Sequence, residues 1–200
     1  LPLGTAMGRL VSQISDGQLN SIKITYEGEI SEHDPSAIKA AILGGLLENV
    51  SEERVNLVNA NLIATQRGLE VVEQKDTICK NYASLVTVEL KTGKGVTTVA
   101  GTVLHDDEPH IVRINDYWLG LVPTPGHFLL SEHVDRPGLI GAVGTITGEN
   151  DINVSYMHLG RLKARGEAIM VLALDEALSE KALKDICALD GVRWARMVKL

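Results

Sequence analysis

Aromatic side chains are scarce in this chain: they make up 4% of 200 residues, with a single Phe, two Trp and four Tyr. Any core built from it is therefore aliphatic. Cysteine is scarcer still. Cys79 and Cys187 stand far apart and in no Cys-x-x-Cys pair, which argues against a disulfide framework and a zinc site. They read as buried or half-buried free thiols in a reducing compartment. Positive charge is not concentrated either. Lys and Arg number 19 against 26 Asp and Glu, for a net charge of -7, and the densest cationic group, Arg161, Lys163 and Arg165, is too small to line a nucleic-acid groove. No apolar run approaches the ~18 residues that span a bilayer, and no signal peptide opens the chain. No nucleic-acid or membrane partner is expected, and a cytoplasmic location is. The first residue is Leu rather than Met, which fits a piece of a longer protein, or equally tag removal or processing. No G-x-G-x-x-G follows a strand. No His–carboxylate pair stands at a recognisable site, and His33, His105, His127 and His158 have no metal spacing. The expectation is a chain without catalytic residues, metal or resident cofactor.

What is present is ordinary globular material, 44% hydrophobic and 22% charged, enough for one large or two small domains. Leu3, Met7, Leu10, Val11 and Ile14 recur at helical spacing up to the Asp16-Gly17 turn signal, a lead-in that reads as a linker helix. Ile22, Ile24 and Tyr26 alternate with Lys23, Thr25 and Glu27, which predicts a half-buried strand. Asp34 as N-cap and Pro35 at the first helical position open a helix through Ala41 and Leu46. Its Gly44-Gly45 pair costs roughly 1 kcal/mol per Gly, a cost that close backbone approach to a neighbour would offset. A second helix is expected over 51–67 with Val55, Val58, Leu62 and Ile63 as its stripe, ended by Gly68 in a left-handed cap. Strands follow at about 69–74, 84–91, 95–104 and 109–121, the last broken at Asn115-Asp116, with a hairpin turn at Thr92-Gly93-Lys94-Gly95. His105-Asp106-Asp107-Glu108 reads as a solvated hairpin loop. This half is a mixed α+β domain with a largely antiparallel sheet.

Pro123-Thr124-Pro125-Gly126 is the clearest break and reads as a linker, dividing residues 1–125 from 126–200. Beyond it the order is strand (Phe128 to His133), helix (Leu139, Ile140, Val143, Ile146), strand (Ile152 to Leu159), strand (Ala168 to Leu174), helix from Ser179 (Ala182, Leu183, Ile186, Leu189), strand (Val192 to Val198). Gly148-Glu149-Asn150-Asp151 is a turn. This β-α-β-β-α-β order is ferredoxin-like, with two helices on one face of a four-stranded antiparallel sheet. The opposite face needs cover as well, for which a partner copy is the usual remedy.

The most informative stretch is His133-Val134-Asp135-Arg136-Pro137-Gly138, where a strand hands over to a helix. Helix N-termini present unsatisfied N–H groups and partial positive charge and so attract carboxylates. Asp135 caps that helix or holds a ligand ammonium, and Asn153 supplies an amide with donors and acceptors. An α-amino acid requires such a mixture. From spacing alone the plainer reading is that Asp135 is an N-cap, Asn153 a turn residue and His133 a half-exposed strand-end histidine.

Residues 127–200 resemble an ACT domain, the small-molecule-binding regulatory module of amino-acid metabolism. The likeness rests on the strand into Asp135-Arg136-Pro137-Gly138, on Gly141 and Gly144, and on Asn150-Asp151-Ile152-Asn153-Val154. Val58-Asn59-Ala60, the 64–68 stretch and the β-rich tail resemble the intervening, allosteric-substrate-binding domain of long-form D-3-phosphoglycerate dehydrogenases, whose C-terminal order is this domain, then ACT. The resemblance implies an NAD-dependent parent enzyme of serine synthesis with its catalytic domains upstream. It also implies homo-oligomers through ACT domains and L-serine as feedback effector between two ACT copies. His133, Asp135 and Asn153 would contact the serine, with backbone N–H groups near Gly138 and Leu139 meeting its carboxylate. A purely structural oligomerisation module with ligand binding lost is the alternative. A distant likeness to the small domain of iron–sulfur serine dehydratases would require cluster-ligating cysteines, which two isolated ones do not supply. Some relatives bind an anion at the end of the intervening domain. Here the 110–126 stretch offers only His110 and Arg113, too little charge for a phosphate.

Overall fold

A computed structural model describes residues 1–51, 53–104 and 107–200. The stretch 105–108, read from sequence as a solvated loop, thus lies partly outside the described residues. Contacts divide the chain into two units: Leu1–Asn115 with Gly120–Pro123, and Asp116–Leu119 with Thr124–Leu200.

In the first unit, helix α1 (Pro2–Ile14) buries Met7, Leu10, Val11 and Ile14. It is an integral layer of this unit, which corrects the expectation of a linker helix. Its partner is α2 (Ser36–Leu47), and the two meet through glycine. A Cβ on Gly8 would lie 2.0 Å from the Ile42 carbonyl oxygen, and one on Gly45 would lie 2.1 Å from that of Thr5. The backbones approach so closely that no side chain fits between them, which is the compensation expected for glycine inside α2. Gly44 meets nothing within 4 Å and shares no part in it. The start of α2 is shifted by one residue from expectation. Asp34 Oδ1 accepts from the Ser36 N–H (3.0 Å) and hydroxyl (2.6 Å), while Pro35 occupies the N-cap position and its carbonyl accepts from Lys39 N. These bonds hold the Asp34 carboxyl below the usual carboxylate range.

The helices lie on a six-stranded sheet ordered β2 (Glu70–Asp76), β1 (Leu19–Gly28), β3 (Ser84–Thr92), β4 (Gly95–Val103), β5 (Pro109–Ile114), β6 (Tyr117–Leu121). β1 runs parallel to β2 and antiparallel to β3, and the β3–β4 and β4–β5 pairs are antiparallel. Ile22, Ile24 and Tyr26 are fully buried, as their alternation predicts. The Tyr26 hydroxyl donates to Glu73, which also binds Lys39 at 2.7 Å. Burial first, and Glu73 second, push that phenol far up.

The expected helix over 51–67 shrinks to α3 (Ala60–Gln66). Two asparagines explain the loss. Asn56 Oδ1 accepts from the N–H groups of Val58 and Asn59, Asn59 Oδ1 accepts from Asn56 N–H, and Asn59 Nδ2 donates to the Arg54 carbonyl. Side-chain bonds of this kind compete with the helical ladder. Val58, placed by sequence on the buried stripe, is 92% exposed. Gly68 closes α3 at φ +69°, as expected.

The second unit orders its strands β10 (Val192–Lys199), β7 (His127–Val134), β9 (Glu167–Leu174), β8 (Val154–Arg161), all adjacent pairs antiparallel. Helices α4 (Leu139–Glu149) and α5 (Glu180–Cys187) complete the expected ferredoxin-like βαββαβ fold. Val143, Ala182 and Ile186 from the helices pack on Leu129, Met170, Leu172 and Ala195 of the sheet. Ser179 caps α5 by accepting from Ala182 N–H. Phe128, Leu130, Ile169 and Val171, on the opposite face, are buried as well. Tyr117, which groups with this unit, hydrogen-bonds Glu132 on that face, and its phenol is pushed up to about 12 by burial and by Glu132. Residues 116–119, which belong to this unit, thus supply part of the cover for a face for which a partner copy is the usual remedy.

The α1–α2 contact gives a direct test. Gly8→Ala or Gly45→Ala forces the helices apart and should cost about 1–3 kcal/mol or more. Gly44→Ala should stabilise by about 1 kcal/mol through helix propensity. Urea unfolding midpoints of the three variants read the contrast.

Candidate functional site

β7 delivers the predicted stretch. His133 is on the sheet face that carries the helices, in register with Ala168, which pairs in turn with Arg161 of β8. The imidazole is 1% exposed, buried rather than half-exposed as the plainer reading had it. Its Nδ1 and the neighbouring Ser131 Oγ are buried without a hydrogen-bond partner. Burial holds the His133 pKa below its ordinary 6.5, against smaller opposing effects of Ser131, Asp135 and Glu132.

Past Val134 the chain turns. The Asp135 N–H donates to the Gly166 carbonyl at 2.7 Å, and its half-buried carboxylate accepts from Arg161 Nη1 at 3.0 Å. Asp135 is therefore no N-cap. That position belongs to Gly138, at φ +92°, and no side chain caps α4. The left-handed conformation favours glycine, which has no Cβ to clash there. Leu139, first in the helix, is buried and anchors it. Arg136 is committed elsewhere, donating to the Asp190 carboxylate and carbonyl. Asp135, Arg136, Pro137, Gly138, Ile140, Arg161 and Arg165 line an open cavity of about 340 Å³. Uncapped N–H groups and the helix dipole favour an anion there.

Four predicted residues thus stand near this end of the sheet: Asp135 and Gly138 line the cavity, while His133 and Leu139 are buried and do not line it. Asn153 does not join them. It precedes β8, which begins paired with Leu174 at the His127 end of the sheet and reaches Ala168, at the His133 end, only at Arg161. Eight residues of strand, at ~3.3 Å each, separate it from Arg161 by about 25 Å. Its Nδ2 donates to Asp175 Oδ2 at 3.0 Å. Sequence reasoning missed Arg161 and Arg165 as lining residues. The signal was the Arg161-Lys163-Arg165 group, set aside as too small for a groove though large enough for one carboxylate.

Elsewhere, His110 is engaged by Glu108 at 2.8 Å. Cys79 is half-buried, and Cys187, exposed, is not the half-buried thiol expected. Among the described residues no group of three or more His, Cys, Asp or Glu is placed to hold a metal ion, and no helix is long and apolar enough to cross a membrane.

A four-stranded ferredoxin-like module with an open helix end, carried behind a larger α+β unit, defines the class: an ACT-containing regulatory part. Residues 127–191 match the ACT domain and residues 1–115 the D-3-phosphoglycerate dehydrogenase intervening domain. The chain belongs to that dehydrogenase family. Similar proteins include the D-3-phosphoglycerate dehydrogenases of Synechocystis, 33% identical over all of this chain and 36% of the relative, and of Bacillus subtilis, 34% identical over 97% of this chain and 37% of the relative. That of Archaeoglobus fulgidus is 33% identical over 100% of this chain and 38% of its own length. The chain spans little more than a third of the length of the curated relatives it matches.

The buried His133 has a pH consequence. Its folded pKa is depressed, so the unfolded chain takes up the proton first. Stability is full above pH 6.5 and is lost as pH falls below that value, by at most about 1.4 kcal/mol per unit. Urea midpoints at descending pH should show this slope, and His133→Phe should reduce it.

Proposed function

We propose that this chain is the feedback-regulatory part of a D-3-phosphoglycerate dehydrogenase and binds L-serine between two ACT modules. In this reading residues 126–200 carry the effector site and residues 1–125 form the intervening domain. The catalytic domains, with their NAD site, lie outside these residues, in a cytoplasmic enzyme. The observation that carries the reading is the end of β7: a carboxylate that does not cap the adjacent helix, beside a helix end that no side chain caps. An amino acid offers each its complement, an ammonium for Asp135 and a carboxylate for the amides near Gly138 and Leu139. His133, two residues before Asp135 on β7, would complete the contacts to the ligand.

Asn153 fits only with a second copy. β8 is an outer strand of its sheet, and an outer strand pairs readily with another. Antiparallel pairing of two β8 strands sets Asn153, before one strand, beside Arg161, at the end of the other. Arg161 already holds Asp135, so the amide of one copy comes to the carboxylate of the other.

Calorimetry tests this. L-serine should release heat on binding the chain, and Asn153→Ala should remove most of it. Full affinity in that variant takes Asn153 out of the site. Serine should also raise the unfolding temperature by mass action. No such rise would favour a purely structural oligomerisation module. In the whole enzyme the coupling would be about 1–3 kcal/mol.

A further inference from the structure

Within the amino-acid site just proposed, on which this inference rests, one cation has so far only the role of holding Asp135. We infer that Arg161 is the carboxylate-binding specificity residue, and that its ion pair with Asp135 is the template for a zwitterion.

Three arginines line the cavity, and only one is poised for this. Arg136 is bound to Asp190 on both its carboxylate and its carbonyl. Arg165, in a left-handed turn at φ +56°, has no ion pair among the described residues and adds only diffuse positive charge. Arg161 extends from the last residue of β8 and is fixed by a 3.0 Å bond from Nη1 to Asp135 Oδ2. That bond uses one of the five guanidinium donors and one of the carboxylate oxygens. A plus and a minus charge held side by side match the head of an α-amino acid, whose carboxylate and ammonium stand a similar distance apart. Docked head to tail, the ligand ammonium meets Asp135, and its carboxylate turns one oxygen to the amides near Gly138 and Leu139 and the other to Arg161, so that neither protein charge is left unpaired. The planar fork suits a carboxylate better than the compact ammonium of lysine does. The arrangement selects against ligands carrying only one of the two charges.

The test compares the wild-type chain with Arg161→Gln and Arg161→Lys, each titrated calorimetrically with L-serine, L-serinamide (ammonium only) and 3-hydroxypropanoate (carboxylate only). The nitrogen-15 resonance of the Arg161 side chain is followed in the wild type. Arg161→Gln should weaken L-serine by about tenfold or more, with partial recovery in Arg161→Lys, while serinamide binds at least as tightly as before because Asp135 loses a competing cation. A guanidinium that only braces Asp135 would weaken both ligands alike, and that result overturns the inference, as does unchanged serine affinity. Should Arg161→Gln fail to fold, Arg161→Lys and the wild-type resonance decide. Should serine give no heat with the wild type while 3-hydroxypropanoate still moves the Arg161 resonance, the amino-acid reading falls and the carboxylate role of Arg161 stands. A resonance unmoved by either ligand overturns that role.

Discussion

The carboxylate of Asp135 takes its hydrogen bond from Arg161 and not from the amides of α4, and the character of the site follows from that one pairing. A capping Asp would neutralise the helix end and leave a solvated surface turn. Drawn instead to the end of β8, the carboxylate leaves the first turn of α4 open and places opposite charges side by side. The bond is possible because His133, Ala168 and Arg161 share a row across β7, β9 and β8, so that a chain turning out of β7 passes close to the end of β8. The Asp135 amide fixes the turn independently through the Gly166 carbonyl. The pair is only half-buried, so its own contribution to stability is small. Its effect is to set where charges stand.

The first unit depends on a different constraint. Its two main helices touch backbone to backbone, Gly8 against the Ile42 carbonyl and Gly45 against that of Thr5. Contact at that range leaves dispersion and shape, not side-chain chemistry, to hold the pair. Arg9 clasps Glu48 through two hydrogen bonds at the exposed end of the same contact. The polar side chains of this unit mostly answer one another, as Lys39, Glu73 and Tyr26 do.

Much of this was legible in the residues because it rests on local periodicity. The alternation of Ile22, Ile24 and Tyr26, the stripe of α1, the Thr92–Gly95 turn and the βαββαβ order are all carried by neighbours a few positions apart. The 51–59 stretch misled because Val55 and Val58 stand at helical spacing while Asn56 and Asn59 bond each other's backbone, and periodicity of apolar residues is blind to that competition. Gly4 and Gly8 carried a signal, small residues four apart on one face, that matched the small residues Ala41 and Gly45 of α2. At the site, the neighbours of Asp135 in sequence were visible, but Arg161 was not. Its pairing depends on register across three strands, which no local pattern encodes.

In the proposed site, Asn153 is where a single copy would cease to suffice. It is tied to Asp175 at the far end of β8, and nothing within one copy brings it to Asp135. The sheet offers a reason why the distance is no obstacle. Strands β8 and β10 are its two outer members, and a two-fold axis beside β8 inverts that strand onto itself, so that what is far within a copy becomes near between copies. A site completed in this way joins ligand occupancy to association of the modules. In the proposed assembly binding would stabilise the paired form over the separate one, and that difference in free energy is what a response at a distance would draw upon.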